Sequence, residues 1–128
     1  MSEISDTAVL SALRRQMTVA VARQVAAAGN LANVDTPGFR AKEVTFEQTL
    51  GRQTGAIAAT NAKHVGGAAN GGGVTIQDIE GPGRRDGNTV QIDRELLTMG
   101  RAAGDFAAAQ TALAAKFRLV RYAINEGR

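Results

Sequence analysis

Cysteine and tryptophan are absent from these 128 residues, and only 4% of the chain is aromatic. Without cysteine there is no disulfide framework, no thiolate metal site and no thiol nucleophile. Serine is confined to positions 2, 5 and 11 and histidine to His64, so a Ser–His–acid triad has little to draw on. No apolar run approaches the roughly 18 residues of a membrane span. The start, "MSEISDTAVLSALRR", has neither a basic opening nor a long apolar core, so a cleaved secretory signal is not expected. There is no block of like charge either. The net charge of +3 permits contact with nucleic acid or anionic lipid without arguing for it. Large apolar side chains are scarce as well: the hydrophobic share is 44%, but 24 of those residues are alanine. A thick globular core is excluded, and one domain at most is expected. Alanine suits thin helix-on-helix packing, because it lets backbones approach closely.

What is present is periodic. Residues 5–35 read as a helix that Ser5 or Asp6 can cap. Leu10, Leu13, Met17, Ala20, Gln24, Ala27 and Leu31 repeat at intervals of three and four, a heptad seam with one polar break. Residues 88–126 read as a second helix, with Asn88 or Thr89 as cap and Asn88–Gln91 resembling a capping box. Its seam is longer: Ile92, Leu96, Met99, Ala103, Phe106, Gln110, Leu113, Phe117, Val120 and Ile124. Antiparallel packing with Gln24 opposite Gln110 keeps both ends apolar and pairs the two amides. Val21, Val25, Leu97, Ala107, Ala114 and Leu119 lie off these seams. The chain offers little to bury them, so the reading is association, with neighbouring molecules completing the hairpin and the ends folding on assembly.

The middle differs in kind. "GGAANGGG" (66–73) holds a fixed backbone only at high entropic cost, and "GPGRRDGN" (81–88) is turn and loop. "VTF" (44–46) and "VTIQDIE" (74–80) are candidate short strands, with little other structure expected around them. The fold class is therefore mainly α. N- and C-terminal amphipathic helices (1–35 and 88–128) form an antiparallel coiled-coil hairpin around an irregular, short-β middle (36–87).

Each chemical candidate has a plainer account. His64 lies in a polar stretch without a nucleophile beside it. Asp93 and Glu95, in the first turn of the second helix, complement the positive end of its dipole. The glycine clusters match neither a P-loop nor a dinucleotide fingerprint, so no cofactor is expected. Lys116, Arg118 and Arg121 in "KFRLVRYAI" are the solvated flank of a helix; the alternative is a basic hairpin touching DNA phosphate or anionic membrane. No catalytic, cofactor or metal residue is assigned, and the chain is not read as an enzyme.

One stretch stands out, "NLANVDTPGFRAK" (30–42). Pro37 disfavours helix at Thr36, so the first helix ends near Asp35. Thr36–Pro37–Gly38–Phe39 suits a type II turn, and Asn33 tolerates the left-handed conformation that often closes a helix. Asp35 or Thr36 can bond nearby backbone N–H groups. The physics is a rigid corner that needs no ligand.

This stretch also resembles the N-terminal motif of bacterial flagellar rod and hook proteins, a pattern of the form N-[IL]-A-N-x-x-T-x-G-[YF]. Asn30, Leu31, Ala32, Asn33, Thr36, Gly38 and Phe39 carry it, with Asp35 and the tail "FRAKEVTF" closer to a proximal-rod member than to another rod subunit. The C-terminal segment is similar too: it opens on an Asn-x-Val step (Asn88–Val90), has a Glu one turn in (Glu95) and ends near Ala123–Ile124. "TNAKHV" (60–65) resembles a middle element of the same family, and Phe39 and Phe106 stand where tyrosine is commoner. The resemblance implies a structural subunit of the basal-body rod, exported unfolded by the flagellar type III apparatus and assembled helically in the periplasm. Its implied partners are copies of itself, other rod proteins, the ring–rod adaptor and the membrane ring, with no nucleic acid and no small-molecule substrate. Its terminal helices would form an inner coiled-coil layer that transmits torque.

Overall fold

The computed structural model of the protein describes residues 6–46 and 74–126. Two long helices, α1 (Asp6–Ala32) and α2 (Ile92–Asn125), flank two short strands, β1 (Lys42–Phe46) and β2 (Val74–Asp78). Both helices are rich in alanine, the strongest helix former. At about 1.5 Å per residue they run to roughly 40 and 50 Å. No helix among the described residues is long and apolar enough to cross a membrane.

The helices pack antiparallel. Asp6 pairs with Lys116, Arg23 with Asp105, and Asn30 bonds Glu95. The buried line is built of small residues. Ala20 and Ala27 on α1, and Ala102 and Ala109 on α2, are each 1% exposed. Counting in sevens along α1 gives Asp6, Leu13, Ala20 and Ala27; along α2 it gives Glu95, Ala102, Ala109 and Lys116. A seven-residue spacing keeps one narrow stripe facing its partner, and alanine on that stripe lets the backbones come close.

This contact line corrects two expectations. Gln110 is exposed and does not face Gln24. Arg23 meets Asp105 where the expected register puts Thr111, and Asn30 meets Glu95 where it puts Gly104. On α1 the expected seam lies toward the contact, with Leu13, Met17, Gln24 and Leu31 half-buried and Leu10 at the margin. On α2 the contact line is rotated one residue away from the expected one. Met99, Phe106 and Leu113 border it, half-buried, while Ile92, Leu96, Ala103, Phe117, Val120 and Ile124 are exposed. The physical reason is size: the closest helix approach is made over alanines, and the larger apolar side chains stand beside it.

The strands sit where alternating apolar residues placed them. They pair antiparallel, Lys42 opposite Asp78 and Phe46 opposite Val74. A two-stranded sheet is marginal alone. This one is held against α1 by Val44, 5% exposed, and by Arg15, whose guanidinium lies 5.5 Å over the Phe46 ring. Ala41, just ahead of β1, and Val90, just ahead of α2, are fully covered. His64 and the "GGAANGGG" segment lie outside the described residues, as does "TNAKHV".

Overpacking the alanine line tests the close approach. Ala102→Leu should cost about 1–3 kcal/mol by forcing the helices apart. Thermal unfolding followed by circular dichroism should show a lower midpoint, whereas Ala103→Leu, one residue away on the exposed side, should leave it nearly unchanged.

Candidate functional site: a cross-chain corner

The corner begins where α1 runs out of hydrogen-bond acceptors' partners. The last carbonyls of a helix have no N–H within the helix to receive. Asn33 and Val34 N–H groups first tighten the end, donating to Asn30 O and Leu31 O at 3.1 and 3.2 Å. The carbonyls of Asn33 and Thr36 accept from the Thr36 and Phe39 N–H groups at 3.1 and 3.2 Å, and that of Val34 has no backbone donor among the described residues. All three accept from one side-chain amide, Asn88 Nδ2, at 2.9, 3.0 and 2.9 Å. Asn88 comes from just ahead of α2, so the end of the first helix is capped by the approach to the last.

Asn88 is 0% exposed and every polar group it has is used. Its N–H donates to Asp86 Oδ1, its Oδ1 accepts from Val90 N–H, and its carbonyl accepts from Arg84 N–H. Arg84 closes the loop by donating from its guanidinium to Val90 O at 2.9 Å. Asn88 is thus not the N-cap of α2. That position falls to Gln91, which makes no side-chain cap bond. The capping-box reading fails because Asn88's amide is committed to α1.

Between the two ends, residues 38–42 lie clamped. Gly38 N–H donates to Asp86 O and Thr89 N–H to Phe39 O, at 2.8 and 3.0 Å. Ala41 N–H donates to Thr89 Oγ1, and Ile79 N–H donates to Ala41 O. The next peptide is held by Asn30. Its Oδ1 accepts from Lys42 N–H and its Nδ2 donates to Lys42 O, both at 2.8 Å. The same Nδ2 donates to Glu95 Oε2 at 3.0 Å. One buried amide therefore links α1, β1 and α2. Glu95, 4% exposed, is an anchor of this link, whereas its neighbour Asp93 is exposed in the first turn as a dipole partner should be.

The turn itself has the expected form. Phe39 N–H donates to Thr36 O at 3.2 Å, and Gly38 has φ 73°, a left-handed value at the third position that a side chain resists. Gly87 (φ 80°) packs on it: a Cβ at Gly87 would sit 3.5 Å from Gly38 Cα. Asn33, expected to be left-handed, is not, since no residue other than glycine has positive φ among those described. It stays near helical geometry and works through its side chain, donating to Gly29 O and accepting from Thr36 Oγ1.

Of the motif residues, Asn30 is buried, Leu31, Asn33 and Phe39 are half-buried, and Ala32, Asp35, Thr36, Pro37 and Gly38 are exposed. The structure joins this motif to the Asn88–Glu95 segment as one unit. Sequence reasoning took Asn88 and Glu95 for local features of α2; the available signal was that Asn-Leu-Ala-Asn and Asn-x-Val are both asparagine-bearing edges of helices. Lys116, one of the three basic candidates near the C-terminal end, is tied to Asp6 within the chain.

A shallow cleft of about 280 Å³ adjoins the corner between α1, β1 and α2, with Arg23, Lys42, Glu43, Arg94, Glu95 and Arg101 in its wall.

Two asparagine-anchored motifs, one from each half of the chain, are locked into one corner between the two helices. A relative from Aeromonas hydrophila is 37% identical over 71 residues, which cover 52% of this chain and 54% of the relative. One from Bacillus subtilis (strain 168) is 24% identical over 119 residues, 91% of this chain and 92% of the relative. One from Yersinia enterocolitica is 32% identical over 90 residues, 57% and 61% of the two chains. All three are named flagellar basal body rod protein FlgB. The chain is similar to flagellar basal body rod proteins. The stronger identities span little more than half of the rod proteins they match, and the Bacillus rod protein extends the likeness over nearly the whole length. No protein-family model matches.

Removing the cross-chain cap should be costly. Asn88→Ala removes the only side-chain donor shared by three carbonyls, leaving Val34 O without its partner, and should destabilise the fold by about 2–3 kcal/mol in denaturant unfolding. Asn88→Asp should cost at least as much, since it sets a carboxylate oxygen against carbonyl oxygens. Gly38→Val should lose about 1–2 kcal/mol through backbone strain alone. An Asn88→Ala protein within 0.5 kcal/mol of the parent would show that the cap is dispensable.

Proposed function

We propose that this chain is a structural subunit of the bacterial flagellar basal-body rod, in its proximal part, and that it works by packing rather than by chemistry. The observation that carries the reading is the corner. The two stretches that resemble the rod family are the two that the fold ties together through Asn88 and Asn30. The near full-length likeness to the Bacillus rod protein supports it.

The mechanism follows from what the hairpin leaves uncovered. Beyond Lys116, the last residue tied to α1, α2 carries Phe117, Leu119, Val120, Tyr122 and Ile124, all exposed. Ile92, Leu96 and Leu97 at its other end, and Val21 and Val25 on α1, are exposed as well. Isolated exposed apolar residues are ordinary; stripes along both faces of a thin hairpin mark an assembly surface. Neighbouring copies would bury these stripes and extend the pair into a helical, coiled-coil inner layer. Torque then passes through many shared apolar contacts between helices set at a fixed angle by the corner. Export through the flagellar type III apparatus without a cleaved signal, a periplasmic location, and contact with other rod proteins, the ring–rod adaptor and the membrane ring belong to the same proposal.

The test is complementation. In a strain lacking the gene, the parent chain should restore rods in isolated basal bodies and swimming in soft agar. Phe117→Asp, at a side chain 60% exposed in the monomer, should be made and folded normally yet give no rods. Normal rods from Phe117→Asp would remove this stripe from the assembly surface; absence of the parent chain from basal bodies would overturn the function.

A further inference from the structure

The cleft beside the corner has an electrostatic imbalance that the fold does not use. Its floor is alanine, which leaves the hollow. Its wall carries four cations, Arg23, Lys42, Arg94 and Arg101, against two carboxylates, Glu43 and Glu95. Four of these six charges are already committed. Arg94 pairs with Glu43 at 3.3 Å, and Arg23 reaches Asp105 at 3.9 Å. Buried Glu95 takes the Asn30 amide. The Lys42 ammonium and the Arg101 guanidinium have no partner among the described residues, and both are exposed at the mouth.

The same chain shows unused charge of the other sign elsewhere. Asp35, Asp78, Glu80 and Asp93 are exposed, and none makes a side-chain ion pair among the described residues. A subunit with spare cations on one face and spare carboxylates on others is complementary to itself.

We propose that the cleft is a socket for an acidic side chain of a second copy of this chain, held between Lys42 and Arg101. This rests on the rod-subunit reading and adds to it a specific polar contact beside the apolar stripes. The chemistry favours a carboxylate over a phosphate. Two fixed carboxylates in the wall tolerate one negative charge balanced by two free cations, and repel a dianion more strongly. A guanidinium also offers a carboxylate two parallel donors, which fixes its orientation. Because the socket joins the residue that Asn30 clamps, Lys42, to the face of α2, an occupant would read the corner's geometry directly. The contact contributes register more than affinity, as exposed charge pairs do.

A photocrosslinking amino acid at position 98, on the cleft wall one turn before Arg101, leaves both socket cations in place and tests the idea in assembled basal bodies. The expected product joins two copies of this chain, and it should disappear with Lys42→Glu. Arg101→Glu should lower rod assembly, and reversal of one of the four acids (Asp35→Lys, Asp78→Lys, Glu80→Lys or Asp93→Lys) should restore it. Crosslinks only within one chain, or only to a different protein or to lipid, would overturn the proposal. So would full assembly by the Lys42→Ala, Arg101→Ala double variant, with its helicity by circular dichroism matching the parent's. If the parent chain is missing from basal bodies, the rod reading fails; if it is present without the self-crosslink, the socket alone fails.

Discussion

The fold depends on one side-chain amide. Asn88 donates to three carbonyls that end the first helix, while its own backbone and Oδ1 close turns on either side of it. Helices usually finish with a glycine or asparagine of their own in the left-handed conformation. Here the finishing donor is 52 to 55 residues away in sequence. Everything nearby is arranged so that this amide can be dry and fully bonded. Gly87 turns the chain tightly ahead of it, Thr89 ties β1's approach, and Val90 seals the base. A buried polar group of this kind adds little net stability over an apolar core, but it penalises any arrangement that leaves it unpaired. That is why a chain so poor in large apolar side chains can still specify one corner.

The second amide, Asn30, extends this logic. It bonds both sides of the Lys42 peptide and the buried Glu95 carboxylate, so the start of β1 and the first turns of α2 are set relative to α1 by hydrogen-bond geometry. The alanine line then needs only to keep the helices close. Division of labour follows: directionality resides in polar contacts at the corner, and the long apolar stripes are free to face outward. A hairpin that buried its own phenylalanines and isoleucines would be more stable alone and less able to join others.

How much of this was legible follows from which signals are local. The turn with Gly38 at positive φ and both short strands rest on neighbours in sequence, and each was readable; the helix stop was read near Asp35, whereas α1 ends at Ala32, where the Asn33 and Val34 N–H groups tighten the last turn. The direction of the two helices was readable from their seams. Their register was not, because it is set by Asn30–Glu95 and by alanines, which carry no hydrophobic signature strong enough to outvote Phe117 or Ile124. The seam counted on α2 followed the largest side chains, and those lie beside the contact. Asn88 was read as a cap for the helix next to it, the cheapest local use of an asparagine. Its actual use spans the chain, and no spacing rule encodes that. Glu95 was assigned to the dipole of α2 for the same reason.

The trans cap also imposes an order of events. A chain that emerges N-terminus first presents residues 30–42 long before Asn88 appears. Until then, the chain beyond α1 lacks the side-chain donor that joins its carbonyls, and Asn30 has no Glu95 to meet. The corner therefore closes last, after the β1–β2 pairing has already brought residues 41–46 and 74–79 together and shortened the loop that remains. Delayed closure is thereby built into the contact: the corner sets only once the chain beyond Asn88 and Glu95 is available.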